Sequence, residues 1–157
     1  MENDINEVLI LKIKYFEENM SIKSDSEKKI VHYNSVKNIS NRIVLYNNKK
    51  TVLLKEKLII YLQKLEDSGY TIENKYKGSS LFIKYISPSI IYLLDNDKFL
   101  VNSDIRTFII IGFIIDLIVY YFISDYHYPL FILLFSIFGI YRRIKAKKEG
   151  KYAAMFW

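Results

Sequence analysis

Among its 157 residues the chain has no cysteine, two histidines, five glycines, two prolines and only three alanines. Without cysteine, disulfide frameworks, thiolate metal sites and cysteine nucleophiles are all excluded. The glycines form no phosphate-cradling loop, and neither a GxSxG nor an HExxH pattern occurs. The acidic pairs Glu17-Glu18 and Glu66-Asp67 fall at turn-like or helix-end positions, where solvated charge is the ordinary outcome. Asp95 and Asp97 in "DND" are suitable cation ligands, but the further ligands of a calcium loop are missing. No catalytic site, metal site or cofactor is expected, and the chain reads as a non-enzyme.

Apolar residues make up 51% of the chain and are unevenly placed. From Phe108 to Ile123, "FIIIGFIIDLIVYYFI" has 16 residues with one charge, and from Leu130 to Tyr141, "LFILLFSIFGIY" has 12 with none. Crossing a bilayer takes about 20 apolar residues in a helix, with roughly 17 as a minimum. Interfacial Tyr126, Tyr128 and Tyr141 bring both runs near that length. Both are apolar all round, unlike amphipathic core helices. They predict a two-helix transmembrane hairpin over 106–144, with helices at about 107–124 and 127–144 and a basic tail over 145–157.

The net charge of +6 divides unevenly: residues 1–107 carry 17 Lys/Arg against 14 Asp/Glu, and "RRIKAKKEGK" carries six against one. Arg142, Arg143, Lys145, Lys147 and Lys148 therefore anchor one membrane face, with Arg106 before the first helix agreeing. The intervening "SDYHYP" has no cation, so the positive-inside rule puts both termini in the cytoplasm and the short loop outside an inner membrane. The start "MENDINEVLILKIKYF" is acidic and has too short an apolar core for a signal peptide. The terminal "MFW" suits an interfacial anchor. On this topology His32 and His127 lie on opposite sides of the membrane and share no site.

Asp116 is eight residues after Phe108 and seven before Ile123, close to the bilayer midplane. Placing a carboxylate there costs about 2.5–3.5 kcal/mol, so it must face protein or water. Folding the hairpin about Tyr126 sets Asp116 opposite Ser136, and Gly112 opposite Ile140 and near Gly139. Gly112, Asp116, Ser136 and Gly139 thus form one candidate polar, small-residue seam. Asp116 either locks one hairpin through Ser136 or faces other copies in a homo-oligomer.

The remaining residues, 1–105, read as a β-rich cytoplasmic domain with one amphipathic helix. "EVLILKIKYF", "MSIKS", "KIVHY", "RIVLY" and "TVLL" are short apolar stretches, several of them alternating, separated by "EENM", "SDSEK" and "YNNKK". Lys55–Ser68 has helical apolar spacing at 58, 59, 62 and 65, with Gly69 as its cap. Strands are expected again over 70–77 and 81–86, while 87–105 admits a helix from Pro88 or a strand pair turning at 95–97. The five-strands-then-helix order over residues 7–69 resembles the bacterial pleckstrin-homology-like domains of small membrane proteins. That resemblance implies a non-enzymatic binding module tethered to a hairpin, although in those proteins the hairpin precedes the strands.

Lysine and tyrosine interleave in "KKIVHYNSVK" and "ENKYKGSSLFIKY". Exposed strand faces are the simpler reading than nucleic-acid binding, and near an anionic leaflet each lysine contributes on the order of 1 kcal/mol. The expected partners are the bilayer, further copies through the hairpin, and a small-molecule or anionic-lipid ligand on residues 1–105. Two functions fit: a tethered binding module in immunity or envelope protection, or a signal-gated membrane-disrupting effector of antiphage type, whose N-terminal domain senses a ligand such as a nucleotide.

Overall fold

Leu9, Ile13, Phe16 and Met20 recur at three- and four-residue spacing and are all buried. The first segment accordingly winds into helix α1 (Glu2–Ser21) and not a strand. The structure, a computed structural model, describes residues 2–101, 103–123 and 128–154. It continues through α2 (Asp25–Ile30), α3 (Tyr33–Ile43), α4 (Lys49–Asp67), α5 (Lys75–Tyr85) and α6 (Ser87–Asp97). Then come β1 (Leu100–Val101), α7 (Ser103–Phe122), α8 (Leu130–Lys148) and β2 (Tyr152–Ala153).

The expected β-rich domain is therefore corrected to a helical one, and the pleckstrin-homology-like resemblance does not extend to the fold. Among the described residues the strands are two residues each and pair in parallel, Leu100 with Tyr152 and Val101 with Ala153. Apolar residues on the solvent side hid the helical period. Val8, Ile10, Leu11 and Tyr15 interrupt the buried series of α1 and are 44–52% exposed. "KIVHY" likewise straddles a break, because His32 takes a left-handed backbone (φ 53°) between α2 and α3.

The polar residues read as strand turns serve as helix starts. Ser24 and Glu27 form a capping box at α2. Asn48 and Thr51 exchange side-chain-to-backbone hydrogen bonds of 2.9 Å at α4. Asn74, inside the strand expected over 70–77, also starts a helix and accepts from the Lys77 N–H at α5. The helix read over 55–68 is the later part of α4 with its cap, where Leu58, Leu62 and Leu65 are buried and Gly69 follows the Ser68 cap at φ +62°. Over 87–97 the chain is helical, with Pro88 in the first turn.

The core lies among α1, α3, α4, α5 and α6, with Phe16, Ile39, Tyr61, Phe82 and Leu93 at its centre. The Tyr61 hydroxyl donates to the Val31 carbonyl at 2.9 Å, and burial pushes its pKa up. Gly78 brings α5 so close to Ile30 that a Cβ there would collide with the Ile30 carbonyl oxygen.

The chain leaves this domain through β1, runs out along α7, and returns along α8 to re-dock as β2. Asp97, expected to lie in a strand turn or a weak cation site, instead latches the returning segment. Its carboxylate pairs with Lys151 at 2.8 Å and with Arg42 at 3.6 Å, and its side chain is 11% exposed. Arg42 also donates to the Glu149 carbonyl at 2.7 Å, and Asn38 to the Tyr152 carbonyl at 2.9 Å. Breaking a buried ion pair from one side costs about 3–5 kcal/mol; partial exposure of Lys151 and Arg42 lowers this to about 2 kcal/mol here. Asp97→Asn should therefore speed amide exchange at Tyr152 and Ala153 while leaving α1 and α4 protected. Uniform loss of protection across the domain would contradict a local latch.

The expected two-helix transmembrane hairpin is also corrected. Among the described residues one helix, α7, is long and apolar enough to cross a membrane: Ile105–Phe122 has a mean hydropathy of 2.0 and is 11% buried. The apolar part of α8 stops at Tyr141, and Arg142, Arg143, Lys145, Lys147 and Lys148 occupy its remaining turns.

Candidate functional site: the seam and base of the α7–α8 arm

Helices α7 and α8 pack chiefly on each other. The inner face of α7 carries Ile105, Phe108, Gly112, Ile115, Asp116 and Val119 at helical spacing, with Gly112 and Asp116 buried. Most outward residues are large and apolar: Ile110, Phe113, Ile114, Leu117 and Ile118 on α7, and Leu133, Leu134, Ile137, Phe138 and Ile140 on α8, are all at least half exposed.

Asp116 caps a helix from the side. Its carboxylate accepts from the backbone N–H of Phe131 at 3.1 Å and of Ile132 at 2.8 Å, in the first turn of α8. The first N–H groups of a helix have no partner within it. Here the N-cap position is Pro129, which supplies no side-chain hydrogen bond. The acceptor comes from α7, and the positive end of the α8 dipole favours its charge.

Gly112, one turn earlier, is what lets α8 start there. A Cβ on it would lie 2.8 Å from the Phe131 carbonyl oxygen and 2.9–3.0 Å from the Ile132 backbone. Gly139 meets the other end of the seam less tightly, with its Cβ position 3.3 Å from the Phe108 ring. Gly112, Asp116 and Gly139 therefore share the seam. Ser136 is half-buried one turn beyond the residues that Asp116 contacts, so it is not the carboxylate's partner.

The reason is a difference in register. Counting symmetrically from Tyr126 assumes that both helices reach the tip together. Instead α8 begins level with Gly112 and Asp116, and α7 runs past it by six residues, about 9 Å. Tyr126 and His127 lie outside the described residues. Tyr120, Tyr121, Phe122 and Tyr128 give the far end of the arm an aromatic surface, each 61–84% exposed. Below it Phe113, Asp116, Leu117, Tyr120, Tyr128, Pro129 and Ile132 line a cavity of about 300 Å³.

The opposite end is basic. The Arg142 guanidinium lies over the Phe108 and Phe138 rings, at 5.5 and 6.0 Å from their centroids. Arg143 and Lys147 lie over the Tyr152 ring at 5.2 and 5.3 Å. Arg106, Lys145 and Lys148 are exposed at the same end. The cations expected as anchors thus form a collar where arm meets domain. The terminal "MFW", expected as an anchor, lies outside the described residues.

A second concavity, about 410 Å³, opens between α2, the start of α3 and Ala154, lined by Asp25, Lys28, Lys29, His32 and Ser35 among others. His32, within the strand-like stretch "KIVHY", is 7% exposed and its ring stacks on Phe82 at 4.2 Å. Burial lowers its pKa to about 4, and the charge of Lys75 adds to that against a hydrogen bond with the Ala154 backbone. The unfolded chain, with an ordinary pKa of 6.5, takes up the proton first. Stability should fall as pH drops from 6.5 towards 4 and lose that dependence below it. His32→Asn, which tolerates the left-handed backbone and stays uncharged, should remove that part of the pH slope in urea titrations. An unchanged slope would assign the dependence to carboxylates.

Among the described residues no cluster of metal-ligating side chains occurs. In comparisons with known proteins, the chain matches no family model, no curated protein and no solved structure.

Proposed function

We propose that the protein is a non-enzymatic, membrane-anchored binding module. The α7–α8 arm enters the bilayer as far as its basic collar and holds the helical domain at the cytoplasmic surface. The observation that carries this reading is the arm's outward apolar face, ended by cations at one end and aromatic residues at the other. Ile105–Phe122 is about 27 Å long, close to the roughly 30 Å of a bilayer's hydrocarbon. Arg106 then sits at one interface and Tyr120, Tyr121 and Phe122 near the other, as such residues prefer. The apolar turns of α8, about 18 Å long, cover only the collar-side part of that depth.

The Asp116 cap supports the same reading. A helix that starts within hydrocarbon has bare N–H groups with no water to meet them, each costing several kcal/mol. The carboxylate and these donors satisfy one another, so a midplane charge and a midplane helix start become compatible. Asp116 is thereby committed within one chain, which favours a tether over a pore lined by carboxylates from several copies. The domain's role is to bind a partner at the membrane surface, with the cleft by His32 as its candidate ligand site.

The test is flotation of the full chain with phosphatidylcholine vesicles, followed by alkaline carbonate washing. Insertion predicts that the protein floats and resists carbonate, and that protease leaves a fragment within 103–148 protected. A chain that stays in the soluble fraction, or one stripped by carbonate, would sink the proposal.

A further inference from the structure

At the base of the arm Leu94, Lys98, Phe99, Leu100, Thr107, Phe108 and Arg142 surround a pocket of about 300 Å³. We infer that this pocket is a headgroup site for one acidic phospholipid, an inference that rests on the membrane-anchored reading above. Its walls differ in chemistry by height. On the domain side are Lys98, which ends α6 in a left-handed conformation (φ 50°), and buried Phe99. On the arm side are Phe108 and the Arg142 guanidinium, which lies 5.5 and 6.0 Å from the centroids of the Phe108 and Phe138 rings.

Among the described residues neither Lys98 nor Arg142 is paired with a carboxylate, whereas nearby Lys151 is taken by Asp97. Two unpaired cations thus face one pocket at the depth where headgroups lie. A guanidinium suits a phosphate diester through paired N–H donors, and an ammonium serves as a second point charge. From the pocket outward the arm continues as exposed Ile111 and Phe138, apolar surface on which an acyl chain can lie. Phosphate below and hydrocarbon above is the order in which a phospholipid presents itself. A soluble phosphate would use only the lower half.

Native mass spectrometry of the full chain, released from neutral detergent micelles carrying phosphatidylglycerol or phosphatidylcholine, tests the site. The wild type should retain one phosphatidylglycerol in preference to phosphatidylcholine. Each neutralisation, Lys98→Gln or Arg142→Gln, should weaken retention about fivefold, the effect of one basic residue at a charged leaflet. Lys145→Gln and Lys148→Gln, in the collar but outside the pocket, should change it far less. Lys98 is exposed, so its variant keeps the fold whatever Arg142→Gln does to the aromatic contacts.

Equal effects from all four variants would show diffuse attraction to the collar and overturn the site. Displacement of the lipid by inorganic phosphate alone would make it a soluble-phosphate site and overturn the lipid assignment. Flotation with neutral vesicles in the absence of any preference for phosphatidylglycerol would defeat this inference and leave the membrane anchor standing. Failure to float would defeat both.

Discussion

Asp116→Ala in the vesicle-reconstituted protein should lose about 3–5 kcal/mol of arm stability. Two part-buried N–H groups, on Phe131 and Ile132, lose their acceptor, and each unmet donor costs about 1–3 kcal/mol. On the membrane-anchored reading, lipid offers no replacement partner, so the loss is not softened as it would be in water. Asp116→Asn retains one acceptor oxygen but turns an amide NH2 towards the second donor and removes the charge–dipole attraction. It should fall between wild type and Ala. Ser136→Ala should stay within about 0.5 kcal/mol, because Ser136 is outside the cap. The readout is unfolding of the reconstituted protein by SDS titration, followed by circular dichroism. An Ala variant as stable as wild type would mean that the α8 N-terminus is met by some other acceptor. A large Ser136→Ala effect would restore the contact that symmetrical counting suggests.

The arm was legible in outline because its signal is composition, which does not depend on what packs where. Two apolar runs, one aspartate and a basic end survive any error in register. The position of α8 did not survive it. Pro129 before Leu130 is a helix-start signal, since proline lacks the N–H that a first turn leaves unsatisfied. That signal fixes where α8 starts in the chain, but not how far the loop carries that start back along α7. The displaced register is a tertiary fact, set by Gly112 admitting the α8 backbone.

In the domain the reverse holds. Burial there follows helical periods, yet in α1 the apolar residues outside the period nearly equal those within it. Leu9, Ile13, Phe16 and Met20 face the core, while Val8, Ile10, Leu11 and Tyr15 face outward. With both faces apolar, a short window reads as a strand as easily as a helix. The polar residues misled for a related reason: serine and asparagine suit both turns and N-caps, and only the helical run after Ser24 and Asn48 separates the two. Lys98 and Asp97 carried no sequence signal for their roles. One becomes part of a pocket, and the other a latch, only when α8 returns to the domain.

Gly112 gives the second large effect and isolates the seam from its charge. Alanine there adds a single methyl group, but that group meets backbone atoms at 2.8, 2.9 and 3.0 Å, which cannot turn aside as a side-chain tip can. The helices must separate or slide. Overpacking of this kind costs about 1–3 kcal/mol, and separation also stretches the two Asp116 hydrogen bonds one turn away. Gly112→Ala should therefore destabilise the arm by about 2–4 kcal/mol, comparable to removing the carboxylate. Gly139→Ala is the control within the same seam, since its methyl meets the edge of the Phe108 ring at 3.3 Å and the ring can yield; it should cost less than about 1 kcal/mol. Because Gly112→Ala and Asp116→Ala disrupt one contact, the double variant should be much less destabilised than the two single effects combined. Full additivity would separate the small-residue seam from the cap, and the carboxylate would then need another reason for its place in the seam.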